Sequence, residues 1–513
     1  MSSPEPGEQP GLAGLALALT SVALALGTFM QVLDSTIANV ALPTISGNLG
    51  VSTDSGTWVI TAFAVANGVT VPLTGWLMGR FGVVRTFTAS VLAFTVASFL
   101  CGMAWSLPSL ILFRILQGAV SGPMIPGSQA LLIAVFPPHK RGLALSIWSV
   151  TALTGPVLGP VIGGYISDNY HWGWIFLINV PVGIIAGIVT WRFLKTRETP
   201  TRKLPIDVVG LLLLAFWVFS LQTVLDLGKD RDWFNNQMIV ILAICAAIGF
   251  VAWMIWELTD ARPAVDLSLF RGRSFSIGVL ALCLGYALLF ANNLLLPLWL
   301  QTHLGYTATW AGLVAAPSGV VAVVLSFMVG RLKIDARILA TVAFLSFGVS
   351  FLMRSNYTPD ASYMVLVIPL LIQGIAMATF FVPLLNITLD GIPPEKVPSA
   401  AGISNFARIT AGSFAASLIE TFWDRRETLH QSHLVESATR FSPVYIKTLE
   451  TLQQKGMTPL QGAGSVMQEL INQAYLLSSL DLFWICGWIS LAMVAVVWLA
   501  RRPAPSAHVV AAD

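Results

Sequence analysis

Fourteen times along the chain, a run of about 18 or more mostly apolar residues is followed by a short polar segment. About 20 such residues, wound as a helix, cross the roughly 30 Å hydrocarbon layer of a bilayer. In lipid each run must satisfy its own backbone hydrogen bonds, so each is expected to be a helix. The runs lie at about 13–41, 56–78, 86–104, 107–135, 143–166, 173–194, 207–227, 236–257, 274–300, 308–330, 336–353, 361–388, 400–423 and 476–499. Composition agrees: 56% of residues are hydrophobic and 10% are charged, against about 25% charged in soluble domains. Mean hydropathy is +0.77. This excludes a soluble enzyme, a nucleic-acid binder and a disordered chain. The expected class is an all-α membrane protein with fourteen transmembrane helices, and its first partner is the lipid bilayer.

The basic residues set the orientation. Of 28 Lys and Arg, 18 fall in the segments after even-numbered runs and in the C-terminal tail. The short segments on the other side hold three: Lys229, Arg231 and Arg354. Basic loops stay cytoplasmic, so both termini are expected in the cytoplasm. Residues 1–10 carry two Glu and no basic residue, so the first run is expected to be retained as a span. The segment 425–472 faces outward. It is polar and far longer than the other outward loops, and it is expected to be helical. Its pattern Thr458-Pro459-Leu460-Gln461 offers an N-cap Thr, Pro at N1 and Gln at N3. Cys101, Cys245, Cys283 and Cys486 all sit in apolar runs and are read as buried small hydrophobes.

An ionisable residue inside a span is costly, so it usually faces a cavity and works there. Asp34 lies deep in the first run, with Gln31 one turn before it. Thr28, Gln31, Ser35 and Asn39 extend a polar stripe at helical spacing. Burial disfavours a charged carboxylate, which suits a group that loads and releases a proton. The competing reading is a structural hydrogen bond or salt bridge. Arg114 in span 4 shares a helix face with Gln117, Gly118 and Ser121. It is expected either to tune Asp34, to attract an anion, or to anchor two helices. Arg408, with Asn405, lies nearer the cytoplasmic end of span 13 and is read as structural, reaching toward the helix end. Span 5 carries Gly155, Pro156, Gly159, Pro160, Gly163 and Gly164. The i, i+4, i+8 glycines form a smooth face for close helix contact, and the prolines invite a bend. Asn292 and Asn293 in span 9, with Gln373 and Asn386 in span 12, add polar groups without an acid. Such a lining suits bulky amphipathic compounds. No metal-site, nucleotide-loop or hydrolase motif occurs, so no catalytic residue, metal or cofactor is expected.

These segments resemble the major facilitator superfamily, in particular the fourteen-span drug:proton antiporters of the EmrB/QacA type, with the EmrB branch nearest. Leu33-Asp34-Ser35-Thr36-Ile37-Ala38-Asn39-Val40-Ala41-Leu42-Pro43 resembles that group's span 1 motif. Leu110 through Gly118, centred on Arg114, resembles its proton-transfer motif. Gly155 to Gly164 resembles its antiporter motif, and Trp172 to Pro181 its span 6 start. Gly75-Trp76-Leu77-Met78-Gly79-Arg80-Phe81-Gly82 resembles the gating loop between spans 2 and 3, with Gly79 where the superfamily usually has Asp. The resemblance implies a major facilitator fold: a six-helix bundle over 1–200, an inserted helix pair over 201–265, and a second bundle over 266–513 with the long loop 425–472. It implies proton-coupled efflux of small-molecule drugs across a bacterial inner membrane, without a cofactor. Asp34 and Arg114 would couple the proton. Gln31, Gln117, Asn292, Asn293, Gln373 and Asn386 would line the cavity. It also implies a tripartite pump, with a periplasmic adaptor and an outer-membrane channel as partners. The alternatives are a proton-coupled metabolite symporter and, from another class, a membrane-embedded enzyme.

Overall fold

The computed structural model describes Leu12 and residues 14–501, apart from 138–139, 202–206, 261–262, 307, 330–331, 333, 360 and 440. The described residues contain helices and no strand. In the first part these are α1 (Gly14–Asn48), α2 (Thr53–Gly56), α3 (Trp58–Thr70), α4 (Thr74–Phe81), α5 (Val83–Gly102), α6 (Leu107–Ser121), α7 (Met124–Val135), α8 (Arg141–Asn169), α9 (Trp174–Leu177) and α10 (Asn179–Leu194). A pair follows, α11 (Val208–Leu227) and α12 (Gln237–Thr259). Then come α13 (Arg273–Thr302), α14 (Ala308–Val329), α15 (Ala336–Arg354), α16 (Tyr363–Ala378), α17 (Phe381–Leu389), α18 (Val397–Ser437), α19 (Pro443–Gln454) and α20 (Pro459–Trp498).

Among the described residues, eleven helical stretches are long and apolar enough to cross a membrane, and twelve if α3 and α4 count as one bent span. That pair bends by 58° around Pro72, which cannot donate a helical hydrogen bond. α8 and α18 are long enough to cross but fall outside that count. In α8 several side chains lie outside the described residues, and the sequence of α18 is diluted by Gly, Ser and Thr and by a charged C-terminal half.

The glycine face of α8 packs on α1. A methyl group added at Gly155 would lie 2.5 Å from Val32 Cγ1, at Gly159 2.1 Å from Thr36 Oγ1, and at Gly163 2.7 Å from Ile37 Cγ1. Gly164 faces open space. The side chains of Pro156 and Pro160 lie outside the described residues. With Val32, Thr36 and Ile37 committed to α8, Asp34 is turned toward α6 and α10.

α11 and α12 pack on each other, with Trp217 and Trp253 ring centroids 5.5 Å apart. α11 also touches α3 and α18, where Ser417 donates to the Leu225 carbonyl. The two halves of the chain meet directly at other points. Asn405 donates to Gln129 at 3.0 Å, and Ser146 to the Ser326 carbonyl at 2.8 Å. A methyl group on Gly75 would overlap Ser399, 2.7 Å from its Cα.

The 425–472 segment is a helical extension, made by the end of α18, α19 and the start of α20. Thr458 and Gln461 form the reciprocal cap that their spacing predicts. Asp481 accepts from Arg426 Nε at 2.8 Å and from His430 at 2.7 Å, fixing α18 to α20. Phe441, Val444 and Leu460 stand out on the extension, 93%, 75% and 84% exposed.

Candidate functional site

Asp34 and Arg114, eighty residues apart, meet in a sealed site. Asp34 is 0% exposed and Arg114 1%. Arg114 Nη1 donates to Asp34 Oδ2 at 2.5 Å and to Gln117 Oε1 at 2.8 Å. Gln117 Nε2 donates to Asp34 Oδ1 at 2.9 Å, and Asn179 Nδ2 to the same oxygen at 3.3 Å. Arg114 Nε donates to the Val59 carbonyl at 3.1 Å. Its guanidinium lies 4.2 Å from the Phe63 ring centroid and 5.4 Å from that of Phe176. Four helices therefore converge: α1 supplies the acid, α6 the cation and amide, α3 a carbonyl and ring, and α10 a second amide. A buried ion pair is tolerable only when further hydrogen bonds satisfy both partners. Here three donors reach the carboxylate, and the guanidinium has acceptors on α1, α3 and its own helix.

Two residues of this site carry no obvious sequence signal. Ser98 on α5 accepts from both Gln117 and Asn179, at 3.2 and 3.1 Å. Asn179 stands within the Trp172–Pro181 segment, but spacing alone gave no reason to aim it at Asp34. The short helix α9 and the start of α10 bring it there.

The other candidate residues lie elsewhere. Gln31 is 2% exposed, and its Oε1 is buried without a hydrogen-bond partner. Thr28 pairs with Ser128, whereas Asn39 is exposed, so the stripe on α1 spreads over several neighbours. Gln373 is 0% exposed and accepts from Arg354 Nη2 at 2.7 Å. Asn386 is exposed on α17. The side chains of Asn292 and Asn293 lie outside the described residues.

Arg354 corrects the loop reading. It is the last residue of α15 and is 0% exposed, its guanidinium 4.6 Å from the Phe351 ring centroid and 5.2 Å from that of Phe483. The apolar run stops one residue before it, so the sequence places it outside; aromatic faces and Ser350 draw it in. Arg408 also does not reach the helix end. It is 5% exposed, donates to Asn405 at 2.8 Å, and lies 4.5 Å from the Tyr286 ring centroid.

In the Gly75–Gly82 segment, Gly82 adopts φ +93°, the left-handed region that favours glycine. Beside it Glu198 accepts from the backbone N–H groups of Val84 and Arg85 at 3.0 and 2.9 Å, a carboxylate at a helix N-terminus. Arg80 lies 5.5 Å from the Trp76 ring centroid. Outside the membrane, Asp266 pairs with Lys396 at 2.7 Å. Burial pushes the Asp266 carboxyl up, but Lys396 and Ser268 together hold it below the usual carboxylate range.

A model of the Major Facilitator Superfamily matches residues 24–416. The chain belongs to that superfamily. It is similar to the Multidrug export protein EmrB of Escherichia coli (strain K12), 48% identical over 499 residues, covering 97% of this chain and 98% of the relative. It is also similar to the Fatty acid resistance protein FarB of Neisseria gonorrhoeae, 45% identical over 498 residues, with the same coverage. Among solved structures, the MFS proton:xylose symporter XylE matches with a TM-score of 0.58 at 15% identity, covering 94% of this chain and 95% of that one. That likeness speaks for the fold alone. The superfamily membership and the relatives make this chain a multi-pass membrane transporter, not an enzyme.

Proposed function

We propose that the chain is a fourteen-span drug:proton antiporter of the bacterial inner membrane, with both termini cytoplasmic and two six-helix bundles around the inserted pair α11–α12. The observation that carries this is the sealed Asp34–Arg114 pair. The name of its 48%-identical relative, a multidrug export protein, supports export of drugs, and the sparsely charged polar positions suit hydrophobic or amphipathic ones.

The geometry suggests how a proton would be coupled. A proton on Asp34 Oδ2 turns an acceptor into a donor facing the Arg114 guanidinium, so proton uptake requires Arg114 to withdraw. Arg114 also holds the Val59 carbonyl of α3. Its withdrawal therefore releases α3, and α3 continues through the Pro72 bend into α4, whose Gly75 touches Ser399 of the other half. Loading the proton thus loosens the seam between the halves. The α1–α8 glycine face lets these helices slide while staying in contact.

The exposed apolar residues of the 425–472 extension support a docking role. An apolar tip beyond the membrane spans is costly in water unless a partner covers it. A periplasmic adaptor leading to an outer-membrane channel is the partner we assign to it.

The test uses purified protein in proteoliposomes with an acidic lumen. A transported drug should accumulate inside and raise the lumen pH as protons leave. Drug accumulation without proton movement overturns the coupling.

A further inference from the structure

A second acid stands where the inserted helix α11 joins the two halves. Asp226 is the one ionisable residue of α11. Gln222 Nε2, one turn before it, donates to its Oδ1 at 2.9 Å and to Ser413 Oγ of α18 at 3.5 Å. The neighbouring Leu225 carbonyl accepts from Ser417 of α18 at 2.7 Å. Thr61 of α3 stands beside the carboxyl group. It is 2% exposed, and its hydroxyl donates to the Thr57 carbonyl at 3.4 Å. Asp226 thus meets the N-terminal half through α3 and the C-terminal half through α18.

The second carboxyl oxygen is left over. Oδ2 is shut off from solvent and has no hydrogen-bond partner among the described residues. An ionised oxygen buried without a donor is strongly disfavoured, and a neutral carboxyl is penalised far less. The charged groups nearby do not compensate it. α3 has no ionisable residue, and α12 has only Glu257, near its other end. Lys229, just past the end of α11 and followed by Asp230, pairs with Asp424 at 3.1 Å and Glu420 at 3.6 Å, the charges that α18 presents at this level. The contrast with Asp34 is plain. Three donors, one of them a guanidinium, reach the Asp34 carboxylate. Asp34 stands in surroundings made for an anion, and Asp226 in surroundings made for a neutral acid. A proton on Oδ2 makes it a donor, and a hydroxyl that already gives its own hydrogen to Thr57 is an acceptor beside it.

We propose that Asp226 is a second proton-binding residue, which holds α3 to α11 while it is neutral. This deepens the transport reading and rests on it. α3 then has a proton-dependent contact on each side. Arg114 holds the Val59 carbonyl while Asp34 is ionised, and Asp226 holds Thr61 while it is protonated. The two contacts answer protons in opposite senses. One proton lost at Asp226 and one gained at Asp34 free α3 on both sides, with no net change in bound protons. Asp226 acts through α3, as a positioning residue.

The test follows hydrogen–deuterium exchange of residues 58–70 in the purified full chain in detergent, with no gradient and no drug. It spans a pH series, with each rate corrected for the intrinsic pH dependence of amide exchange. Asp226→Asn keeps an N–H donor in place of the protonated oxygen and does not ionise, so it is the reference. Wild-type protection should equal that of Asp226→Asn at the acid end. It should fall below it as pH rises, by about two- to tenfold, the weight of one hydrogen bond. Asp226→Glu should restore a pH-dependent difference. Profiles that coincide at every pH mean a purely structural Asp226 and overturn the proposal. Drug uptake in proteoliposomes is then measured with both sides shifted together, so that the pH difference stays fixed. Asp226→Asn should match the wild type at the acid end and be about two- to tenfold slower at the alkaline end. Equal rates throughout overturn the role in transport. If the wild type takes up drug with proton movement and the exchange profiles coincide, Asp226 alone fails. If the profiles separate as expected but no proton moves with drug, the coupling fails and the proton-dependent hold on α3 stands.

Discussion

Replacing Asp34 with Asn changes one atom and removes one charge, and its cost follows from the surroundings of Arg114. Removing one partner of a buried pair typically costs about 3–5 kcal/mol, because a charge is left uncompensated. Arg114 would keep the Val59 carbonyl, Gln117 Oε1 and the Phe63 ring. Those contacts place the expected loss at the low end, about 3 kcal/mol. Adding Arg114→Gln removes the stranded cation, so the double variant should be more stable than Asp34→Asn alone. The cycle should show a coupling of about 2–3 kcal/mol, the upper range for contacting residues. Stability is read by denaturant titration in detergent, and coupling by gradient-driven drug uptake in proteoliposomes. Both variants should fold and neither should accumulate drug against a proton gradient. Wild-type uptake by Asp34→Asn refutes the proton-carrier assignment. An additive cycle refutes the energetic reading of the pair.

The remaining predictions test separate parts of the argument. Arg114→Lys keeps a charge but loses the fork that holds Asp34, Gln117 and Val59 together, so uptake should be partial, with Arg114→Ala far lower; equal rates in uptake assays count against a role in tuning. Gly159→Leu should cost about 1–3 kcal/mol through overpacking against Thr36 and stop transport without altering drug selectivity, checked by rates on several drugs. Asp266→Asn should cost at most about 1 kcal/mol, as half-exposed ion pairs do. Because the folded carboxyl titrates below its ordinary value, that contribution is present above about pH 4 and fades as pH falls through the lower folded value, which a pH series of midpoints will show. Replacing residues 430–468 with a short linker should leave proteoliposome transport largely intact while lowering cellular resistance and adaptor co-purification; loss of proteoliposome transport makes the segment part of the transport core.

The helical class and the burial of Asp34 inside a span were legible because hydropathy and an isolated acid are local signals. The Thr458 cap was legible for the same reason, since its two partners are three residues apart. The pairing of Asp34 with Arg114 was less so. Each could be singled out, but only the packing of α1 on α8 turns the acid toward α6. Ser98 and Asn179 were hidden because serine and asparagine are unremarkable in a span until a neighbour needs an acceptor or a donor. Arg354 was misplaced because hydropathy marks where an apolar run ends and says nothing of which way a long side chain folds back.

The Gly75–Gly82 segment lies where the two halves of the chain meet. Gly79 stands where a charged residue is usual in the superfamily, yet the halves still meet. The contacts at their meeting points include a glycine against Ser399, an amide pair between Gln129 and Asn405, a serine on a carbonyl, and Arg408 over the ring of Trp148. The two hydrogen bonds among them, Asn405 to Gln129 and Ser146 to the Ser326 carbonyl, are neutral, and such bonds each contribute about 0.5–1.5 kcal/mol net. Parting them exposes groups that water readily satisfies, whereas parting a buried ion pair exposes charges at much larger swings of energy. A weakly held seam can be opened by a modest push. The charged pair that can deliver the push sits inside the N-terminal half, at Asp34 and Arg114. If Asp34 takes up the proton as proposed, the strong interaction lies where the proton would act and the neutral hydrogen bonds where the halves meet, so protonation would weaken the strong contact and leave only weaker ones to part.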